Sequence, residues 1–177
     1  AGPTHGGFKN AKKLIIESAK YGADAIKFQI LDPDLLIKDK SQLINYKILN
    51  SKNQLVNKSS TLYSLLKDRQ LTFKEWKELK KICDDNGIAF FATAAFEKEI
   101  DFLHNINCDS IKIASADMNH LPLIEYAANT GLCIQIDSGM ASLAEIENAV
   151  NLIESCNNKK IIIHQCPSGY PAYLESI

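Results

Sequence analysis

Five short apolar runs, each closed by small polar or charged residues and most leading into a helix-like stretch, constrain this chain more than any other feature. They are Ala25-Ile-Lys27-Phe-Gln29, Phe90-Phe-Ala-Thr93, Ile111-Lys112-Ile-Ala-Ser115, Ile134-Gln-Ile-Asp137-Ser138 and Ile161-Ile-Ile-His164-Gln. Continuous runs of Ile, Ala and Phe suit parallel strands covered on both faces. Alternation of such strands with helices predicts a parallel α/β sheet joined by right-handed crossovers. In a (β/α)8 barrel, the TIM fold, the carboxyl ends of the strands converge on one mouth, where such proteins do their chemistry. Two lysines, several hydroxyls and a histidine gathered at that mouth suit an anionic ligand.

The helices between the runs carry their own signals. Thr72-Phe-Lys-Glu75 and Ser142-Leu-Ala-Glu145 are capping boxes, with a hydroxyl at the N-cap and a glutamate three residues on. Behind the first, Phe73, Trp76, Leu79 and Cys83 share one face; behind the second, Leu143, Ile146, Val150 and Ile153 do. An earlier helix is expected from Phe8 to Tyr21, with Gly22 as its stop, and Gly87 should stop the Thr72 helix. Shorter helices are expected near Lys98–Asn105 and Leu121–Asn129. The exception to the alternation is 31–71, a long polar insertion in which Leu43, Leu49, Leu55, Leu62 and Leu65 suggest some helix. Insertions of that length after a barrel strand are usually lids or partner contacts.

The opening Ala1-Gly-Pro-Thr-His5-Gly-Gly7 reads as the loop after a strand, which makes six βα positions in all. A complete barrel needs ~200 residues or more, so the 177 residues predict an incomplete barrel belonging to a larger protein. A net charge of −1, with no basic stripe, argues against nucleic-acid binding. The longest apolar runs are strand-sized, too short to span a membrane, and no signal peptide is visible. Five cysteines, none in a C-x-x-C pair, argue for reduced thiols, a cytoplasmic location and packing roles rather than a disulfide framework.

Several segments together carry a resemblance. Ala1-Gly-Pro-Thr-His5-Gly6, Gly22-Ala-Asp-Ala-Ile-Lys27-Phe-Gln29, Ile111-Lys-Ile-Ala-Ser115, Asp137-Ser-Gly-Met-Ala-Ser-Leu-Ala-Glu145 and His164-Gln-Cys-Pro-Ser168-Gly-Tyr170-Pro171 occur in that order. In this the chain resembles the sialic acid synthase family, the phosphoenolpyruvate-dependent N-acetylneuraminate, legionaminate and pseudaminate synthases. The match covers essentially all of the chain except 31–71. The chain departs from the family pattern where Ala94-Ala95 replaces the usual Pro-Phe after Thr93, and where the spacing from His164 to Tyr170 is one residue longer.

The resemblance implies a reaction. The enol of phosphoenolpyruvate attacks the aldehyde carbon of an open-chain N-acetylated amino sugar, water adds at C2, and phosphate leaves. It implies catalytic roles for Lys27, Lys112 and Tyr170, and substrate contacts for Gln29, Thr93, Ser115, Ser138, Ser168, His5 and His164. A divalent metal, Mn or Mg, is implied for the complete enzyme, with its histidines beyond Ile177 and none of its ligands in this chain. A homodimer completed by a C-terminal antifreeze-like domain, also outside this chain, is implied as well. The chemistry of the residues agrees, because two ammonium groups can neutralise a multiply charged enol phosphate while hydroxyls supply directed donors.

Two other readings stay open at this point. One is a barrel that condenses phosphoenolpyruvate with a phosphorylated aldose. It would need arginines for the second phosphate, and the only arginine is Arg69, in the insertion. The other is a non-catalytic fragment that binds or assembles through its open sheet edge.

Overall fold

The computed structural model describes residues 2–167. Its centre is a five-stranded parallel sheet of β1 (Ala25–Gln29), β4 (Ala89–Thr93), β5 (Ser110–Ile113), β6 (Cys133–Asp137) and β7 (Ile161–His164), in that spatial order. The chain forms an incomplete (β/α)8-type barrel, as the strand and helix alternation predicts. Beside the far edge of β1 lies the opening segment, where the Gln29 amide donates to the Pro3 carbonyl at 3.4 Å.

Helices α1 (Phe8–Lys20), α4 (Phe73–Asp85), α5 (Glu97–Asn105), α6 (Leu121–Ala128) and α7 (Leu143–Ser155) cover the sheet. Both sequence-predicted capping boxes form. Thr72 Oγ1 accepts from Glu75 N at 3.3 Å and Ser142 Oγ from Glu145 N at 3.3 Å, and each glutamate returns the bond to its N-cap amide at 2.8 Å. A third start has no hydroxyl to announce it. Glu99 Oε2 accepts from the Ala95 and Phe96 amides at 2.8 and 3.2 Å, while Phe96 offers no acceptor in return. Gly87 follows α4 at φ 66°, a conformation that penalises a Cβ.

The apolar runs read as continuous in the sequence, yet their side chains alternate in the sheet. Alternation along each strand, with the register between strands, divides the sheet in two. One face carries Ile26, Phe28, Phe90, Ala92, Ile111, Ile113, Ile134 and Ile136, all buried against the helices. Phe28, Phe90 and Trp76 of α4 meet there, with ring centroids 5.7–6.3 Å apart. The other face carries Lys27, Gln29, Thr93, Ser110, Lys112, Gln135, Asp137 and His164. Along β1, β5 and β6 these polar side chains come in pairs two residues apart, separated by an aliphatic or aromatic residue.

The insertion has the helix expected of it and, in addition, a hairpin. Residues 43–61 are a hairpin, β2 (Leu43–Leu49) paired antiparallel with β3 (Leu55–Thr61), between short helices α2 (Pro33–Leu36) and α3 (Leu62–Lys67). Leu43, Leu49 and Leu55 are exposed strand residues, while Leu62 and Leu65 belong to α3. The turn explains the hairpin: Asn50 Oδ1 accepts from the Lys52 and Gln54 amides at 2.9 and 3.0 Å, and Asn53 takes φ 61°. Asp34 anchors the insertion, accepting from Lys40 at 2.6 Å, Lys67 at 2.8 Å and Tyr63 Oη at 3.0 Å. Thr4 Oγ1 donates to the Arg69 carbonyl at 2.9 Å, tying the opening loop to the end of the insertion.

Candidate active site

One row of the sheet is polar across four strands. Gln29 of β1 lies opposite Thr93 of β4, Thr93 opposite Lys112 of β5, and Lys112 opposite Gln135 of β6. Two residues further toward the carboxyl ends, Asp137 lies opposite His164. Lys27 sits one layer below Gln29 on the same face, in the row of Ser110. The sheet alone thus gathers Lys27, Gln29, Thr93, Lys112 and His164, which sequence reasoning had singled out.

Lys112 is buried, 5% exposed, and its ammonium donates to the carboxylate of Asp137. Lys27 is half-buried, and its ammonium is pushed below the usual lysine range. Burial is the main cause and the Lys112 charge adds to it, while Asp137 and Cys166 oppose the shift. The two lysine charges therefore act on one another across the face. Thr93 is 6% exposed, and its Oγ1 is buried without a hydrogen-bond partner. Leaving a buried hydroxyl unpaired costs about 1–3 kcal/mol. Among the described residues that hydroxyl has no partner, and its strand neighbour is Lys112.

A second network runs alongside. Gln135 Nε2 donates to Ser110 Oγ at 2.6 Å, which turns the amide oxygen toward His164 Nε2, 2.8 Å away. That arrangement makes Nε2 the protonated nitrogen of His164. Ser138 donates its hydroxyl proton to the His164 carbonyl at 2.9 Å, so it staples the ends of β6 and β7. Ser115 opens the short 3-10 turn Ser115–Asp117 after β5, half-buried and outside the capping position, which is Ala114. Gly139 leaves room for the segment after β7, since a Cβ there would stand 2.8 Å from the Cys166 carbonyl.

Other expected residues fall elsewhere. His5 is exposed, at φ 54°, and lines a depression with Asn10, Lys13, Leu14 and Glu17 of α1. Its recorded bond is its carbonyl accepting from Asn10 Nδ2 at 3.2 Å. Ser168 and Tyr170 lie outside the described residues. Sequence reasoning missed Asp137, Gln135 and Ser110; the signal was their period of two within β5 and β6. Among the described residues, no three His, Cys, Asp or Glu side chains converge on a point that could hold a metal ion. Among the same residues, no helix is long and apolar enough to cross a membrane.

Comparison with known proteins gives the family and the fold. A model described as the NeuB family matches residues 14–177. The chain is 30% identical to an N,N'-diacetyllegionaminic acid synthase of Legionella pneumophila, over 100% of this chain and 50% of that protein. It is also 30% identical to the human N-acetylneuraminate-9-phosphate synthase, over 99% of this chain and 47% of that one. Among solved structures, an N-acetylneuraminic acid (sialic acid) synthetase from Leptospira borgpetersenii, crystallised with citrate, superposes with a TM-score of 0.81 at 30% identity. That superposition covers 99% of this chain and 55% of the synthetase. The chain spans about half the length of the curated relatives it matches.

Proposed function

We propose that this chain, which belongs to the NeuB family, supplies the phosphoenolpyruvate-binding part of a synthase that condenses phosphoenolpyruvate with an N-acetylated amino sugar. One observation carries the reading: Thr93 presents a buried, unpartnered hydroxyl beside Lys112, in the row that Lys27 flanks. Lys27 and Lys112 neutralise the enol phosphate and its carboxylate, and Thr93 and Ser115 donate to its oxygens. As the enol carbon bonds to the sugar aldehyde, C2 becomes cationic, and a held anion keeps that centre oriented toward water and the departing phosphate.

Gln29, Ser138 and His164 frame the site, with His5, Ser168 and Tyr170 assigned to substrate by the family resemblance. Arg69 is the only arginine, and its guanidinium donates to the Leu65 carbonyl inside the insertion. That supports a sugar without a phosphate of its own. A cytoplasmic homodimer, with a divalent metal supplied by residues outside this chain, completes the proposal.

The test is Thr93→Val in the protein expressed from its gene, assayed for phosphate release from phosphoenolpyruvate with several N-acetylated amino sugars. The expected result is a phosphoenolpyruvate KM raised about tenfold, the size of one lost charge-assisted or buried donor. Unchanged KM in a folded, active variant refutes the assignment.

A further inference from the structure

The Asp137 carboxylate stands where an anion site has least use for it. It is the last residue of β6, on the face of the sheet that carries Lys27 and Lys112, and it takes the ammonium of Lys112 for itself. The pair is largely buried, with side-chain exposures of 7% for Lys112 and 19% for Asp137. No backbone amide or hydroxyl among the described residues donates to Asp137, so Lys112 is its recorded hydrogen-bond donor. Across the strand pair, His164 faces it but gives its Nε2 proton to Gln135. Paired in this way, the Lys112 charge is offset from within the protein.

We propose that Asp137 is an internal counter-ion that competes with the bound anion for Lys112, and so sets how tightly phosphate is held. This rests on the function proposed above. While the mouth is empty, Asp137 keeps the Lys112 ammonium paired in a site where an unpaired charge would be costly. An incoming enol phosphate, with more than one negative charge, takes Lys112 over. Once the phosphoryl group has become free phosphate, Asp137 reclaims Lys112 and the product leaves. Asp137 is thus a positioning residue, acting on the anion through Lys112.

The test is titration of inorganic phosphate, by calorimetry, into the protein expressed from its gene and into Asp137→Asn, with product inhibition by phosphate measured alongside. Removing one negative charge from a partly buried anion site should tighten phosphate about tenfold. The inhibition constant for phosphate should fall in parallel. Asp137→Ser serves as a second variant should the asparagine fold poorly, and melting curves accompany both. Adding Lys112→Met to Asp137→Asn should abolish the gain. A purely structural Asp137 would lower Tm and leave phosphate affinity equal or weaker, which overturns the inference while leaving the proposed function standing. A wild-type protein that binds neither phosphate nor phosphoenolpyruvate would overturn both.

Discussion

The two faces of one sheet are built on opposite principles. The helix side is aliphatic and aromatic, dry and closed: Phe28, Phe90, Ile111, Ile113, Ile134 and Ile136 are each fully buried there. The other side, one residue away in sequence, holds a lysine in an ion pair, a second lysine with a lowered pKa, and a hydroxyl with no partner among the described residues. Stability comes from the first face. The second gathers buried polar and charged groups, and natural sites commonly trade stability for function in this way.

The largest effect that could break this contrast is expected from Phe90→Ala. It empties the centre of the Phe28–Phe90–Trp76 cluster, and losses of this kind cost about 3–5 kcal/mol. Thermal or urea unfolding would show it, while KM per folded molecule should stay put; a changed KM would mean the faces are not separable. Next is Lys112→Ala, which strands a carboxylate that is 19% exposed. It should cost roughly 2–3 kcal/mol, since breaking a buried pair leaves an uncompensated charge. Phosphoenolpyruvate KM should also rise about ten- to a hundredfold, so this face should show both losses at once. A destabilised variant with normal kinetics would return Lys112 to a purely structural role.

Alkaline pH should separate the faces by sign. On the apolar side, burial pushes the Cys83 and Cys108 thiols from 9.0 up to about 12. The folded state keeps those protons where the unfolded chain releases them, so their contribution is intact below pH 9 and is lost as pH climbs toward 12. By pH 10 the loss is about 1.4 kcal/mol per thiol. Lys27 runs the other way. Its folded pKa lies below 10.5, so its contribution grows as pH rises toward that value. Denaturation midpoints from pH 8 to 10 should fall for the wild type and fall less for Cys83→Ala/Cys108→Ala. Equal slopes would contradict the assignment. The smallest effect has the opposite sign: Thr93→Val, which costs substrate binding, should raise stability by about 1 kcal/mol because an unpaired buried hydroxyl disappears.

Much of the scaffold was legible because its signals are local. The five strands lie within a residue or two of where their apolar runs put them, and Thr72 and Ser142 cap their helices as the spacing requires. The hairpin was not legible from the leucines of the insertion, because Leu43, Leu49 and Leu55 suit a helix or a strand equally until the Asn50 turn is recognised. In the site, lysines inside apolar runs were conspicuous. Asp137 and Gln135 were not, since their meaning depends on which residue the neighbouring strand sets beside them. Glu99 illustrates the same limit, closing a helix start on a phenylalanine that no capping rule would select.

The strand order has a consequence for how the molecule is made. Leaving out the hairpin, the spatial sequence β1-β4-β5-β6-β7 is also the order of synthesis. Each strand emerging from the ribosome finds its partner already in place, while the hairpin pairs only with itself. Among the described strands, assembly can therefore proceed by successive addition at one growing edge, each new strand pairing with the one made just before it.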